Sequence, residues 1–247
     1  MPGLDWLTAR PIAHRGLHAP SGPVENTASA FSAAIAAGYA IECDLQISAD
    51  GEAMVFHDDA LDRLTEHAGR LAALTAAELK KVRFKQTSDR MLTLGDLCDL
   101  VAGRAALVLE LKSRFDGNRR LAERVAQVLA NYRGAVAAMS FDPAMVETLR
   151  HAVPGLARGI VAERHYAHDE WDRMPKAQKR RLACLLYAPR TRPQFVAYCI
   201  RDLPALAPFL ARTLFGLPLL AWTVRTETER ARAARWADQV IFEGWRP

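Results

Sequence analysis

Two carboxylates, Glu42 and Asp44, stand two residues apart in "AIECDLQIS", a run that otherwise reads as a buried strand. Strand alternation places both on one face and Cys43 on the other. Like charges beside a core are costly unless something positive lies between them. Further along, "LELK" repeats the spacing with Glu110 and Lys112. Three convergent carboxylates, Glu42, Asp44 and Glu110, make an all-oxygen pocket, which is hard-cation chemistry, Mg²⁺ or Ca²⁺, and not zinc. His14 in "HRG" and His57 in "FHD" suit proton transfer better than ligation, because imidazole titrates near neutral pH. Arg15 and Lys112 bring fixed positive charge matched to phosphate oxygens. A divalent cation, two imidazoles and two cationic side chains around one cleft describe hydrolysis of a phosphate ester. Each piece alone has a plainer reading: a salt-bridged pair, a structural histidine, a Glu110–Lys112 ion pair. The ordered recurrence at four successive strand ends favours the functional one.

The elements that must hold these groups alternate for nearly the whole chain. Short apolar runs and helical patterns follow one another, as in βα units around a parallel sheet. "RPIAHRG" is a strand entering a glycine turn, and "ENTASAFSAAIAAG" (25–38) is a helix capped by Asn26 or Thr27 and ended by Gly38. "AIECDLQIS" and "EAMVFHDD" are strands joined by the turn "ADG". Helices in "TAAELKK" and "TLGDLCDLVAG" precede the strand "ALVLELK" (106–112). Later strands are expected in "AVAAMSF", "RGIVAE", "QFVAYCI", "LPLLAWTV" and "DQVIFEG". Between them lie helices at 119–132, 143–152 and 169–185, then in "PALAPFLARTL" and "TETERARAARWA". A closed (β/α)₈ barrel needs eight strands, one fewer than this reading offers. Either the "ECDLQ"–"VFHD" hairpin contributes one irregular member or one later assignment is wrong. In such barrels chemistry collects at the C-terminal strand ends, which is where "HRG", "ECD", "FHD" and "ELK" fall.

Composition excludes several classes. The chain has 247 residues, enough for one large domain spanning 1–247, with no linker or repeat. Its net charge of +5 comes from scattered arginines without interleaved aromatics, so nucleic acid is not an expected partner. Four separated cysteines, Cys43, Cys98, Cys184 and Cys199, form no CxxC pair and read as small core residues. The N-terminal stretch lacks the pattern of a signal peptide, and a cytoplasmic location is the expectation. The most apolar segment, "LPALAPFLARTLFGLPLLAWTV" (203–224), contains Arg212 and several prolines and is not a membrane span, although peripheral contact with a membrane is compatible with it. "RMPKAQKRR" (173–181) reads as a solvated basic face able to attract anionic head groups. His18, His67, His151, His165 and His168 match no motif.

Taken in order, "HRG", "ENT" (25–27), "ECDLQISADGEAMVFHDDALDRLT" (42–65), "LTAAEL" (74–79), "TLGDL" (93–97), "LELK", "SFD" (140–142) and "WTV" (222–224) resemble the glycerophosphodiester phosphodiesterase family, most closely over 11–112. The resemblance implies a phospholipase-C-like (β/α)₈ TIM barrel and a divalent cation, Mg²⁺ or Ca²⁺. It implies cleavage of a small-molecule glycerophosphodiester to sn-glycerol 3-phosphate and an alcohol. It makes His14 and His57 the acid/base pair, Glu42, Asp44 and Glu110 the metal ligands, and Arg15 and Lys112 phosphate contacts. A small cap beside the substrate is expected at about 59–92, and Trp222 is either a wall of the glycerol site or a packed core residue. Which histidine is acid, and whether a cyclic phosphate or direct water attack is used, stay open. So does a lysophospholipase-D-like reaction on a lipid. Three departures stand out: "VENT" for the usual P-E-N-T, Arg225 where Asn commonly follows "WTV", and Glu243 near the usual Asp of the last strand.

Overall fold

The computed structural model describes residues 3–167, 171–172 and 174–247. Eight parallel strands form the barrel: β1 (Ile12–Ala13), β2 (Ala40–Ile47), β4 (Leu107–Leu111), β5 (Val136–Ser140), β6 (Ala157–Ala162), β7 (Phe195–Cys199), β8 (Leu219–Val224) and β9 (Gln239–Phe242). The short β1 closes it, pairing Ile12 with Ala40 of β2 on one side and with Ile241 of β9 on the other. The extra strand, β3 (Ala53–Val55), runs antiparallel to β2 with Leu45 opposite Val55. The hairpin therefore accounts for the surplus over eight, and the later strand assignments hold.

Alternation sorts each strand into an inward and an outward face. In β2, Ile41, Cys43 and Leu45 pack outward against Phe31 and Ala34 of α2 (Ala28–Ala36) and Leu97 of α4 (Leu94–Val101). Ala40 turns inward to a cluster with Ile12, Val108, Phe195, Leu220 and Ile241. Full burial of each large apolar side chain stabilises by roughly 1.5–3 kcal/mol, so the lower barrel is filled by the hydrophobic effect alone. Leu7 of the short helix α1 (Asp5–Thr8) joins that cluster at the N-terminal end. Gly159 makes room for Phe195 inside, since a Cβ there would lie 2.3 Å from the ring. The apolar layers stop below Glu42, Asp44 and Glu110, which take the inward positions nearer the C-terminal mouth.

Between β3 and α4, residues 59–92 form a compact appendage around the helix α3 (Ala76–Leu79). Its Leu61, Leu71, Leu79, Phe84 and Met91 share a small apolar cluster with Val24, Met54 and Phe56, which ties it to the β3 hairpin. The remaining helices are α5 (Arg120–Leu129), α6 (Pro143–Ala152), α7 (Lys176–Ala183), α8 (Ala188–Thr191), α9 (Leu206–Phe215) and α10 (Glu227–Trp236). Of the basic helix expected over 169–185, residues 169, 170 and 173 lie outside the described residues, as does His168; the described part starts only after Pro175. Cys43, Cys98 and Cys199 are buried as expected, but Cys184, the residue that ends α7, is exposed. The apolar segment 203–224 divides into α9 and β8, and no described helix is long and apolar enough to cross a membrane.

Candidate active site

The register of β2 and β4 sets Asp44 directly beside Glu110, with Glu42 two residues earlier on the same face. Oxygens of Glu42, Asp44 and Glu110 all fall within 4.8 Å of one another. Lys112 reaches across the pair, its Nζ 2.6 Å from Glu110 Oε1 and 2.9 Å from Asp44 Oδ1. Arg15 approaches from β1: its backbone N–H donates to Glu42 Oε2 at 3.0 Å, and its Nε lies 3.2 Å from Asp44 Oδ2.

The "HRG" turn has to bend sharply to bring that N–H to Glu42. Arg15 and Gly16 both have positive φ, 55° and 79°. A Cβ on Gly16 would sit 2.9 Å from the Ala30 backbone carbon, so glycine is required twice over. Gly16→Ala is expected to destabilise the fold by roughly 1–3 kcal/mol and to lower activity, readable as a fall in melting temperature alongside a turnover assay. The "ENT" motif has an equally local explanation. Asn26, also at positive φ, donates from Nδ2 to Asp44 Oδ2 at 2.9 Å. Thr27, not Asn26, caps α2 by accepting from Ala30 N–H. Glu25 accepts from Arg15 Nη1 at 2.7 Å.

Electrostatics of this cluster favour a cation. Burial, reinforced by Asp44 and Glu110, pushes the Glu42 carboxyl well above the usual range. Burial acts the same way on Asp44, yet Lys112, His57, Arg15 and His14 outweigh it and hold Asp44 well below its ordinary value. The same carboxylates raise the Lys112 ammonium against the effect of its own burial. Three carboxylates thus face two fixed cations, and Glu42 Oε1 is buried with no hydrogen-bond partner among the described residues. An orphaned oxygen in an all-carboxylate set one positive charge short fits a hard divalent ion.

Both histidines are held by carboxylates through Nδ1. Glu243 Oε2 lies 2.7 Å from His14 Nδ1, and the same oxygen accepts from Arg225 Nη2 at 2.8 Å. Asp58 Oδ1 lies 2.7 Å from His57 Nδ1. Burial lowers His14 to about 4, against the raising influence of Glu243, so the ring is neutral at pH 7. Glu243 itself is held well below the carboxylate range, its burial outweighed by the His14 and Arg225 contacts. An ionised Glu243 accepts the Nδ1 proton and leaves the lone pair on Nε2, which points toward Glu42 at 4.0 Å.

A cavity of about 900 Å³ opens over this cluster and is lined by His14, Arg15, His57, Glu110, Lys112 and Trp222, among others. Trp222 packs edge-on against Phe141 at 5.5 Å, and Phe141 lies 5.0 Å from Trp171. The structure therefore gathers His14, Arg15, Glu42, Asp44, His57, Glu110, Lys112 and Trp222 at one mouth. Its outer wall is built from Ser113, Arg114, Phe115, Trp171, Met174 and Gln178 in addition to β-strand ends, whereas residues 59–92 contribute none of its described lining. Asp142 of "SFD" serves α6 as its N-cap, accepting from Ala144 N–H. Two further contributors carry no assignment from sequence. Glu243 is visible there only as a departure in the last strand, 229 positions from His14. Arg63, in "DALDRLT", binds Asp58 and Glu25 together.

Comparison with known proteins places the chain among similar sequences and folds. The glycerophosphodiester phosphodiesterase of Caldanaerobacter subterraneus subsp. tengcongensis is 31% identical over 160 residues, covering 61% of this chain and 65% of that relative, just under two thirds of its length. A phosphodiesterase of Oleispira antarctica, solved with sn-glycerol-3-phosphate, superposes with a TM-score of 0.77 at 21% identity, covering 96% of this chain and 94% of the other. The glycerophosphodiester phosphodiesterase of Thermotoga maritima gives a TM-score of 0.70 at 22% identity, over 94% and 92% of the two chains. At these identities the structural likeness establishes the fold. The Glycerophosphoryl diester phosphodiesterase family profile matches residues 14–244, nearly the whole chain, and the chain belongs to that family.

Proposed function

We propose that this chain hydrolyses small glycerophosphodiesters to sn-glycerol 3-phosphate and an alcohol. The observation that carries the reading is the convergence at one mouth of a buried three-carboxylate cluster with two carboxylate-held imidazoles. Family membership and the glycerol-3-phosphate bound to the Oleispira antarctica phosphodiesterase support it. Glu42, Asp44 and Glu110 would hold the divalent cation, Mg²⁺ or Ca²⁺. When bound, it supplies Lewis acidity and charge neutralisation to the substrate oxygens. Arg15 and Lys112 orient the phosphate, and Trp222 walls the glycerol side.

Neutral His14, on the Glu42 side, takes the proton from the glycerol 2-hydroxyl at Nε2 as that oxygen attacks phosphorus. His57 donates a proton to the leaving alcohol as its P–O bond breaks. Water then opens the cyclic phosphate, giving its proton to His57, while His14 returns its proton to the 2-hydroxyl. The test is release of glycerol 3-phosphate from glycerophosphocholine with Mg²⁺ or Ca²⁺ present. No product from any of several head groups would overturn the proposal.

One observation favours a second, lipid-directed reading. Outward on α9, Leu206, Phe209, Leu214 and Phe215 are exposed, an apolar strip that could rest on a bilayer. Lysophospholipase-D-like turnover of a lysophospholipid, with none of its deacylated counterpart, would establish that reading in place of the first.

A further inference from the structure

Arg63 belongs to the 59–92 appendage, yet its guanidinium ends between two groups of the site. Nε and Nη2 donate to both oxygens of Asp58, at 2.6 and 2.9 Å. Nη1 and Nη2 donate to both oxygens of Glu25, at 2.8 and 2.7 Å. Asp58 in turn holds His57 Nδ1, and Glu25 holds Arg15 Nη1, both at 2.7 Å. Only a planar fork of donors can grip two carboxylates in this way; an ammonium cannot. The backbone on either side is pinned: Leu61 and Thr65 are buried, and Thr65 Oγ1 donates to the Leu61 carbonyl at 2.9 Å.

We propose that Arg63 is a positioning residue that sets both His57, through Asp58, and Arg15, through Glu25, so that docking of the appendage and assembly of the site are one event. The inference rests on the phosphodiesterase reading for its kinetic test. Magnitude separates it from a stabilising ion pair. Arg63 is 47% exposed, and ion pairs that open to water contribute only about 0–1 kcal/mol to stability. A group that orients a catalytic histidine, in contrast, acts on the rate. The opposite wall repeats half of the device, with Arg225 on Glu243 on His14, but there the guanidinium reaches no described carboxylate that bears on Arg15.

The experiment compares wild type, Arg63→Ala, Arg63→Lys, His57→Asn and the Arg63→Ala/His57→Asn double variant on glycerophosphocholine with Mg²⁺. Arg63→Ala is expected to lower kcat roughly 10- to 100-fold and to raise KM several-fold through a loosened Arg15. In the His57→Asn background the same change should cost less than about threefold in kcat, because the two act as a unit. Arg63→Lys should restore neither parameter, and melting temperatures should stay within a few degrees. A full additional loss on top of His57→Asn, rescue by lysine, or unchanged kinetics would each overturn the proposal. A readout independent of turnover comes from imidazole ¹⁵N NMR. In its neutral form, wild-type His57 should be the Nδ1–H tautomer held by Asp58, and both Arg63 variants should populate the two tautomers; an unchanged tautomer would overturn the proposal even if no diester were hydrolysed. Absence of turnover by the wild type with that tautomer shift intact would instead count against the phosphodiesterase reading alone.

Discussion

Chelation of divalent cations is expected to abolish turnover, and Glu42→Gln to do the same while the protein stays folded. The reasoning is one of charge. Glu42, Asp44 and Glu110 share a space within 4.8 Å, with only Lys112 and Arg15 to offset them. Burial and its two neighbours already drive the Glu42 carboxyl upward, so the cation-free site is strained by its own charge. An amide in place of that carboxylate would keep the shape and the bond from the Arg15 N–H but remove a ligand charge. Losing the ion should cost on the order of 10³-fold in rate, the several kcal/mol expected of charge stabilisation by a bound metal. Stability should move the other way: in metal-free buffer the melting temperature of Glu42→Gln should equal or exceed that of wild type. Adding Mg²⁺ or Ca²⁺ should raise the wild-type melting temperature by linkage and leave the variant's unchanged. Full activity of a metal-free preparation, or an equal thermal shift in the variant, would remove the metal from the scheme.

What can be read from sequence is what local periodicity encodes. Glu42 and Asp44 on one face of β2, and Glu110 and Lys112 on one face of β4, follow from the two-residue repeat of a strand. The barrel follows from alternation of strands and helices, and the hairpin is identifiable as the surplus member. The cavity wall is legible only in part: Ser113, Arg114 and Phe115 lie in a connection whose path no periodicity fixes, and a helical pattern over 169–185 does not say that Gln178 lines the cavity. The exposure of Cys184 is hidden for a related reason: a small apolar residue in a basic helix carries no signal of which side it faces. The Glu243–His14 contact depends on barrel closure, which brings the last strand against the first. Along the chain, Arg225 and Glu243 look like two separate departures from the family pattern. In space they are one ion pair acting on one imidazole. Arg63 escapes for the opposite reason, since an arginine in a polar loop reads as solvated until its two carboxylate partners are seen.

His57→Asn should lose on the order of 10²- to 10⁴-fold in kcat on a choline-type leaving group, the usual value of a positioned acid, and far less on a nitrophenyl ester of glycerol phosphate. An alkoxide leaves poorly without a proton, whereas a nitrophenolate leaves readily as the anion, so in the bond-breaking step removal of the acid is felt only with the first, and single-turnover release of the leaving group isolates that step from the later one in which His57 takes the water proton. His14→Asn should lose a similar factor on both substrates, because its task is to take the proton of the attacking hydroxyl. The assignment follows from placement. His14 is the more buried ring, neutral at pH 7 with a value lowered to about 4, and its Nε2 faces Glu42 on the cation side. His57 is the more exposed, set on the cavity wall and tied to the appendage through Asp58 and Arg63. In the proposed mechanism, reaction begins beside Glu42 and ends on the more exposed side, where an alcohol can depart. The reverse pattern, with leaving-group dependence confined to His14→Asn, would exchange the two roles. Absence of any leaving-group dependence in both variants would show that neither histidine protonates the leaving group.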